Sequence, residues 1–466
     1  MRSTKTALLA AALLGLASTA LATPYASGIA DLGGGNYSFI LNQDLDAGES
    51  IVIDRIGQSA VTIPGPLARG THPFSATSGY NSIAVSSTAA AGWTQYSNGA
   101  DSQMQFYLPR GIAVNRNPGS PNFGRVYVSN GSSGTTTSGR TLGEGLYGMT
   151  ADTATLHGPG QEDTAFTGGV DWVSGGSSSP FRLMVGPDDG VYVTDWSDGH
   201  SGLWRASAGL GGTYPNVLSN ANRDAGGLCD NHGSIPGVYV EGTGADTRVY
   251  TLDEDFDAGN GPGSVLRYDV GTATDYNGAP VEQTWDVPNI ILNMRADLAR
   301  AEDGSWWVSQ YRFTESTGAP SLTRWTDGGD VSDPIFNSAD LQDYDSDDVD
   351  DFVLDLAYGS IDTHHGLDLL IMGRRSGGGV FVIDVSDPDA PVLMDVISAP
   401  GFTQDVAFDA AGNLYLVNSS SETLQMWEQG GDWVATTFAD GTFSVVPEPA
   451  ALVLLALGGV ALLRRR

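Results

Sequence analysis

The densest run of chemistry-bearing side chains in the chain is Asp343-Tyr344-Asp345-Ser346-Asp347-Asp348-Val349-Asp350-Asp351. Carboxylates at Asp343, Asp345 and Asp347, a backbone carbonyl at Val349 and the carboxylate of Asp351 would give a hard cation, Ca2+ first, enough oxygen ligands in one tight loop. Without a counter-ion the same carboxylates repel one another, and the run is then an exposed, solvated loop. A second acidic cluster, Asp253-Glu254-Asp255-Phe256-Asp257, reads either as a cation site or as a surface turn. The histidines are scattered: His157, His200, His232 and the pair His364-His365. Asp230-Asn231-His232 and Asp362-Thr363-His364-His365 are where a hydrolytic metal centre could gather, although each histidine alone reads as structural, as does His72. No His-Glu-x-x-His, no Gly-x-Ser-x-Gly elbow and no cysteine–histidine pairing occurs. Cys229 reads as a small buried residue or an inert thiol. Trp196, Trp306-Trp307 and Trp325 could stack on sugar rings or wedge neighbouring sheets apart.

Composition narrows the choice. Of 466 residues, 62 are glycine and only 17% are charged, which favours short strands joined by many turns over long helices. Aspartate and glutamate number 55 against 22 lysine and arginine, a formal charge of −33, so the chain should repel nucleic acid and anionic lipid. Lys5 is the only lysine, which excludes a Schiff-base or P-loop lysine in the body of the protein. One cysteine excludes an intramolecular disulfide, so stability must come from packing.

The two ends carry targeting signals. Arg2 and Lys5 precede the apolar run Ala7–Leu16, and Ala20-Leu21-Ala22 offers the small residues that a signal peptidase accepts, with cleavage after Ala22. At the other end, Val446-Pro447-Glu448-Pro449 is followed by the apolar run Ala450–Leu463 and by Arg464-Arg465-Arg466. That run is shorter than the ~20 residues of a full span, and the flanking arginines lengthen it by snorkelling and hold the end cytoplasmic. The three-part tail resembles the PEP-CTERM sorting signal, in which a Pro-Glu-Pro motif, a short hydrophobic helix and a basic cluster are recognised by an exosortase. The resemblance covers about 20 residues and implies an exported bacterial protein: anchored transiently in the inner membrane, cut near Pro447–Pro449, then placed at the cell surface or outside the cell.

Between the ends the chain is all-β. Tyr37–Leu41, Ser50–Ile53, Ala60–Ile63, Thr71–Phe74 and Ser82–Val85 are short alternating strands that predict a small β-sandwich over 23–99. From there a strand–turn–strand unit recurs. Its clearest copy is Phe181–Arg205, where Pro187 presets φ and Gly190 completes a tight turn before Val191-Tyr192-Val193. Copies start near 108, 181, 235, 296, 352 and 402, a spacing of about 50 to 73 residues, which is blade length for a β-propeller. The count is six blades, or seven if residues 132–175 hide another. Residues 180–195 and Phe402–Asn418 are similar to NHL-type propeller repeats, and Gly379–Pro388 resembles the LVIVD repeat. The Asp343–Asp351 run resembles the calcium loops of integrin-type and thrombospondin-type repeats, departing at Asp348, where those loops place glycine, and at Leu354, where an EF-hand places its bidentate glutamate.

The expected organisation is a signal peptide over 1–22, the sandwich over 23–99, a propeller over 100–443 and a sorting tail over 444–466 with its short transmembrane helix. The expected function is an exported, non-catalytic surface or matrix propeller that meets signal peptidase and exosortase during export. It then binds polysaccharide or protein, with Ca2+ at Asp343, Asp345, Asp347, Val349 and Asp351. The alternative is a secreted six-bladed hydrolase resembling the lactonases, with a metal held on the central channel by Asp, Asn or His side chains from several blades.

Overall fold

A computed structural model describes residues 24–154, 156–157, 167–196, 202–219, 235–253, 264–277, 279–286, 296–310, 321–327, 335–338, 357–375 and 378–447. The N-terminal strands are β1 (Ala26–Gly33), β2 (Asn36–Leu41), β3 (Ser50–Arg55), β4 (Val61–Pro64), β5 (Gly70–Ser75) and β6 (Tyr80–Gln95). They alternate buried and exposed residues, Ile51 and Ile53 facing in while Val52 and Asp54 face out, as expected of a sheet with one wet face.

Six four-stranded antiparallel blades follow. The first is β7 (Pro109–Val114), β8 (Val126–Asn130), β11 (Gly145–Met149) and β12 (Leu156–His157), interrupted by the small hairpin β9 (Gly134–Thr135) and β10 (Thr141–Leu142). The second is β13 (Leu183–Val185), β14 (Val191–Asp195), β15 (Gly202–Ala206) and β16 (Asn216–Ser219). The third is β17 (Val238–Glu241), β18 (Arg248–Asp253), β19 (Ser264–Asp269) and β20 (Val281–Asp286). The fourth is β21 (Asp297–Arg300), β22 (Trp306–Ser309), β23 (Leu322–Trp325) and β24 (Phe336–Asn337). The fifth is β25 (Ala357–His364), β26 (Leu369–Arg374), β27 (Val380–Asp384) and β28 (Val392–Ile397). The sixth is β29 (Thr403–Phe408), β30 (Leu414–Asn418) and the first half of β31 (Thr423–Phe438), with the second half of β6 as its outermost strand.

The described residues therefore form a β-propeller of six blades. Among the described residues of 132–175 there is no seventh blade, because they supply the third and fourth strands of blade one: Leu146–Met149 pairs with Val126–Ser129. Apolar clusters fill each gap between blades. Trp306 and Trp307 are both fully buried, and as successive strand residues they point to opposite faces, one packing with Tyr250 and the other with Phe336. These tryptophans wedge blades.

The ring closes through the N-terminus. Trp427–Gly430 of β31 pairs with Gln95–Gly92 of β6, and past a bulge Asp432–Phe438 pairs with Thr88–Ser82. Both strands thus leave blade six and continue into the sandwich, where β32 (Phe443–Pro447) adds to β31 and β3 and β4 add to β6. The sheet β1-β2-β5 covers them over a core that includes Phe39, Leu41, Ile51, Ile53 and Val85. The expected small sandwich is present, but β6 crosses the expected border at 99/100, and residues 431–447 return to the sandwich. Of the expected sorting motif, Val446 and Pro447 lie in β32, opposite Val434 and Trp433. Glu448, Pro449, the apolar run and Arg464–Arg466 lie outside the described residues, as do Ala20 and Ala22. Among the described residues no helix is long and apolar enough to cross a membrane.

Candidate functional site

The first strand of each blade has one edge paired within its blade and the other turned to the central channel, so its outward N–H groups need acceptors from elsewhere. The sequence supplies them as single polar residues in otherwise apolar strands. Asp405 on β29 accepts the N–H of Ile112 in blade one at 2.8 Å. Asp297 on β21 accepts the N–H of Ile361 in blade five at 3.2 Å and that of Leu298 at 3.0 Å. Asp362 on β25 accepts the N–H of Phe408 in blade six at 2.8 Å. Between blades two and three the acceptor is sulfur, the N–H of Val240 lying 3.0 Å from Met184 Sδ. Blade one also fits closely against blade two: a side chain at Gly111 would sit 2.4 Å from the carbonyl oxygen of Phe181.

These strands enclose a cavity of about 390 Å3. Deep in it, Arg182 makes a short ion pair with Asp405 and reaches Asp297 at 3.4 Å. All three are buried, and burial pushes both carboxyls up while the guanidinium pulls them down. Toward the end where each first strand turns into its second, Arg116 reaches from blade one to blade five, donating to Asp362 Oδ1 at 3.1 Å and to the carbonyl of Thr363 at 2.8 Å. Arg110, at the other end of β7, donates to Gln404 at 3.1 Å. The channel is thus a place where carboxylates and guanidinium groups meet in pairs and where carboxylates hold backbone amides.

Of the residues singled out by sequence, Asp362 lies in this channel, and the histidines beside it do not line it. His364 ends β25 with its ring edge-on to Phe408 (centroids 5.7 Å apart) and its Nε2 3.1 Å from the carbonyl of Ala410. Burial pushes its pKa down to about 4, which keeps the ring neutral. His72 bonds the carbonyl of Ala68 at 2.8 Å in the sandwich. Asp343, Asp345, Asp347, Val349 and Asp351, together with His200, His232, Cys229, Asp255 and Asp257, lie outside the described residues. Among the described residues no three His, Cys, Asp or Glu side chains gather as metal ligands. Two carboxylates of the turn before β14 hold structure together: Asp188 pairs with Arg205 at 2.6 Å, and Asp189, at φ 62°, accepts from Asn115 at 3.1 Å in blade one. Arg182, Asp297 and Asp405 were missed as a group. The signal that could have found them is a charged residue inside an apolar inner strand, as in Phe181-Arg182-Leu183-Met184-Val185 and Thr403-Gln404-Asp405-Val406.

No family model matches the chain, and no curated protein matches it in sequence. Among solved structures it is similar to the periplasmic gluconolactonase of Pseudomonas aeruginosa, at 12% identity over 92% of this chain and 95% of that one, TM-score 0.37. It is also similar to virginiamycin B lyase from Staphylococcus aureus, at 10% identity over 77% and 89% of the two chains, TM-score 0.37. A putative oxidoreductase (glucose dehydrogenase) of Thermus thermophilus aligns at 12% identity over 73% and 99%, TM-score 0.42. Likeness at this level carries nothing about activity, since one propeller fold hosts many functions. The propeller assignment rests on the six sheets themselves.

Proposed function

We propose that the protein is an exported, non-catalytic binding propeller that acts at the cell surface or in the extracellular matrix. In this reading signal peptidase cuts after Ala22, and the tail, with Val446, Pro447, Glu448, Pro449, Arg464, Arg465 and Arg466, is handed to an exosortase. The released protein then binds polysaccharide or another protein. The observation that supports a binding role is the commitment of the channel carboxylates. Asp297, Asp362 and Asp405 each hold a backbone amide of the next blade, and each has an arginine partner. A carboxylate fixed this way braces the ring, whereas a hydrolytic base or metal ligand needs a lone pair turned to the substrate.

The test is a comparison of the full chain on soluble polysaccharides and on a lactone and ester panel. The binding reading expects saturable polysaccharide or protein binding with no turnover. Lactone hydrolysis that disappears in Asp297→Asn, with the melting temperature retained, would establish the hydrolase alternative instead. Ca2+ at Asp343, Asp345, Asp347, the Val349 carbonyl and Asp351 belongs to the same proposal and stiffens the loop before β25. Melting with calcium and with a chelator tests it, and identical curves would remove the calcium site.

A further inference from the structure

A cleft of about 370 Å3 lies between the sandwich and blade one, where the turn joining β31 to β32 faces the loop joining β7 to β8. The seam between two folded units is a common place for a ligand site. Here both walls are fixed before any ligand arrives. On the propeller side, Asn115 and Asn117 donate to Asp189 Oδ1 at 3.1 and 3.4 Å, and Ser120 donates to Asp189 Oδ2. A residue of blade two thus holds the loop of blade one in place. Phe123, at the end of that loop, packs its ring 5.4 Å from those of Tyr25 and Phe443 in the sandwich. The two backbones also meet: a Cβ at Gly441, where φ is 84°, would sit 3.0 Å from Gly119 Cα. A ligand that enters so fixed a cleft loses little to ordering of the protein.

The lining selects the ligand. Tyr80 and Phe438 from the sandwich, with Pro118 and Pro121 from the loop, give the cleft flat apolar surface. Tyr80 is half-buried and held by edge-on contacts with Tyr37 and Phe74, centroids 5.5 and 5.6 Å away. Its hydroxyl reaches solvent and makes no hydrogen bond to a described residue. Among the lining residues only Asp440 is charged, and it is exposed. Thr442 donates twice to its Oδ1, from N at 3.1 Å and from Oγ1 at 2.7 Å, which leaves Oδ2 without a partner among the described residues. A formal charge of −33 and a carboxylate at the rim disfavour an anion. One exposed carboxylate holds an ammonium group weakly in water, and no cluster of metal ligands gathers among the described residues. What fits is a neutral ligand with apolar faces and hydroxyl groups. We propose that this cleft binds a neutral sugar unit of a polysaccharide, its ring against Tyr80 and its hydroxyls on the Tyr80 hydroxyl and Asp440 Oδ2. The inference rests on the polysaccharide-binding reading above and gives it a place and a sugar class.

The experiment is calorimetric titration of the full chain with neutral tetramers of β-1,4-linked glucose, mannose and galactose, and with tetramers of galacturonate and of glucosamine. Two variants accompany it. A Cβ at Gly119 would meet nothing closer than 3.5 Å and needs no positive φ, so Gly119→Leu fills the cleft and leaves its walls in place. Tyr80→Phe keeps the ring contacts and removes only the hydroxyl. The expected result is binding of a neutral tetramer, at least tenfold weaker for both charged ones. That binding should weaken at least tenfold in Gly119→Leu and about fivefold in Tyr80→Phe, with melting unchanged. If Gly119→Leu does not fold, Tyr80→Phe decides alone. A neutral tetramer bound equally by the wild type and the folded variants overturns the cleft and leaves the polysaccharide reading standing. Preference for a charged tetramer overturns the neutral-sugar site. Binding of no tetramer removes the inference together with the polysaccharide reading. Cleft binding accompanied by lactone turnover removes the non-catalytic reading and leaves the inference.

Discussion

The central channel and the cavity between blades four and five are built from the same residue types in opposite states. In the channel every carboxylate meets a backbone N–H or a guanidinium, and Arg182 sits between two of them. In the cavity of about 280 Å3 between blades four and five, lined by Glu302, Asp368 and His364, burial and the charges of Glu302 and Asp384 push the Asp368 carboxyl up, and His364 Nδ1 is buried with no partner among the described residues. The difference lies in which element supplies the partner. A channel carboxylate stands beside the unpaired edge of the next blade's first strand, which offers N–H groups at fixed spacing. The cavity takes Glu302 and Asp368 from turns, which do not present N–H groups at fixed spacing. Matched charge braces a fold, whereas like charges brought together shift a carboxyl upward instead.

Removing the channel cation breaks the comparison at its strongest point. Arg182→Met leaves Asp297 and Asp405 buried without a counter-charge, an expected loss of about 3–5 kcal/mol read by denaturant unfolding. A loss below about 1 kcal/mol would show that the network is not a brace. A smaller effect comes from Asp409, buried at the junction of blade six and the sandwich and bonded only to neutral donors, among them Asn413 at 2.7 Å and Tyr415 at 3.2 Å. Burial pushes its pKa up to about 6. A carboxyl whose folded pKa lies above its unfolded value holds its proton longer in the folded state. Stability should therefore fall as pH rises from about 4 to about 6, by roughly 3 kcal/mol for this group. Asp409→Asn should flatten that slope, and an unchanged slope would reassign it to other carboxyls. The smallest effect is expected at the rim. The Arg116 side chain is 36% exposed, so Arg116→Ala should cost no more than about 1 kcal/mol by the same unfolding measurement.

The blades that were legible in the sequence are those in which two short strands flank a tight glycine-containing turn. Phe181–Arg205 and Phe402–Asn418 are β13–β15 and β29–β30 almost residue for residue. Blade one was only half visible. Its third strand contains Gly145 and Gly148 and its fourth is two residues long, so neither shows the alternation of a strand. The fourth strand of blade six was hidden for a different reason. Residues 88–95 fall inside the stretch that reads as the sandwich, and nothing local says that their partner is Trp427–Asp432. The channel brace was hidden in the same way: Arg182, Asp297 and Asp405 are far apart in the chain and become a site only when the ring closes.

That closure has a consequence for how the chain must fold. On the edge away from β3, residues 82–95 find their partners only when residues 427–438 have been made, so that long edge of β6 stays open for nearly the whole of synthesis. Closing so large a loop is slow, and an unpaired strand edge is a template for pairing with other chains. The ring can complete only after its last blade is in place, so a holding factor that keeps β6 covered until then should govern the yield of folded protein more than the stability of any single blade.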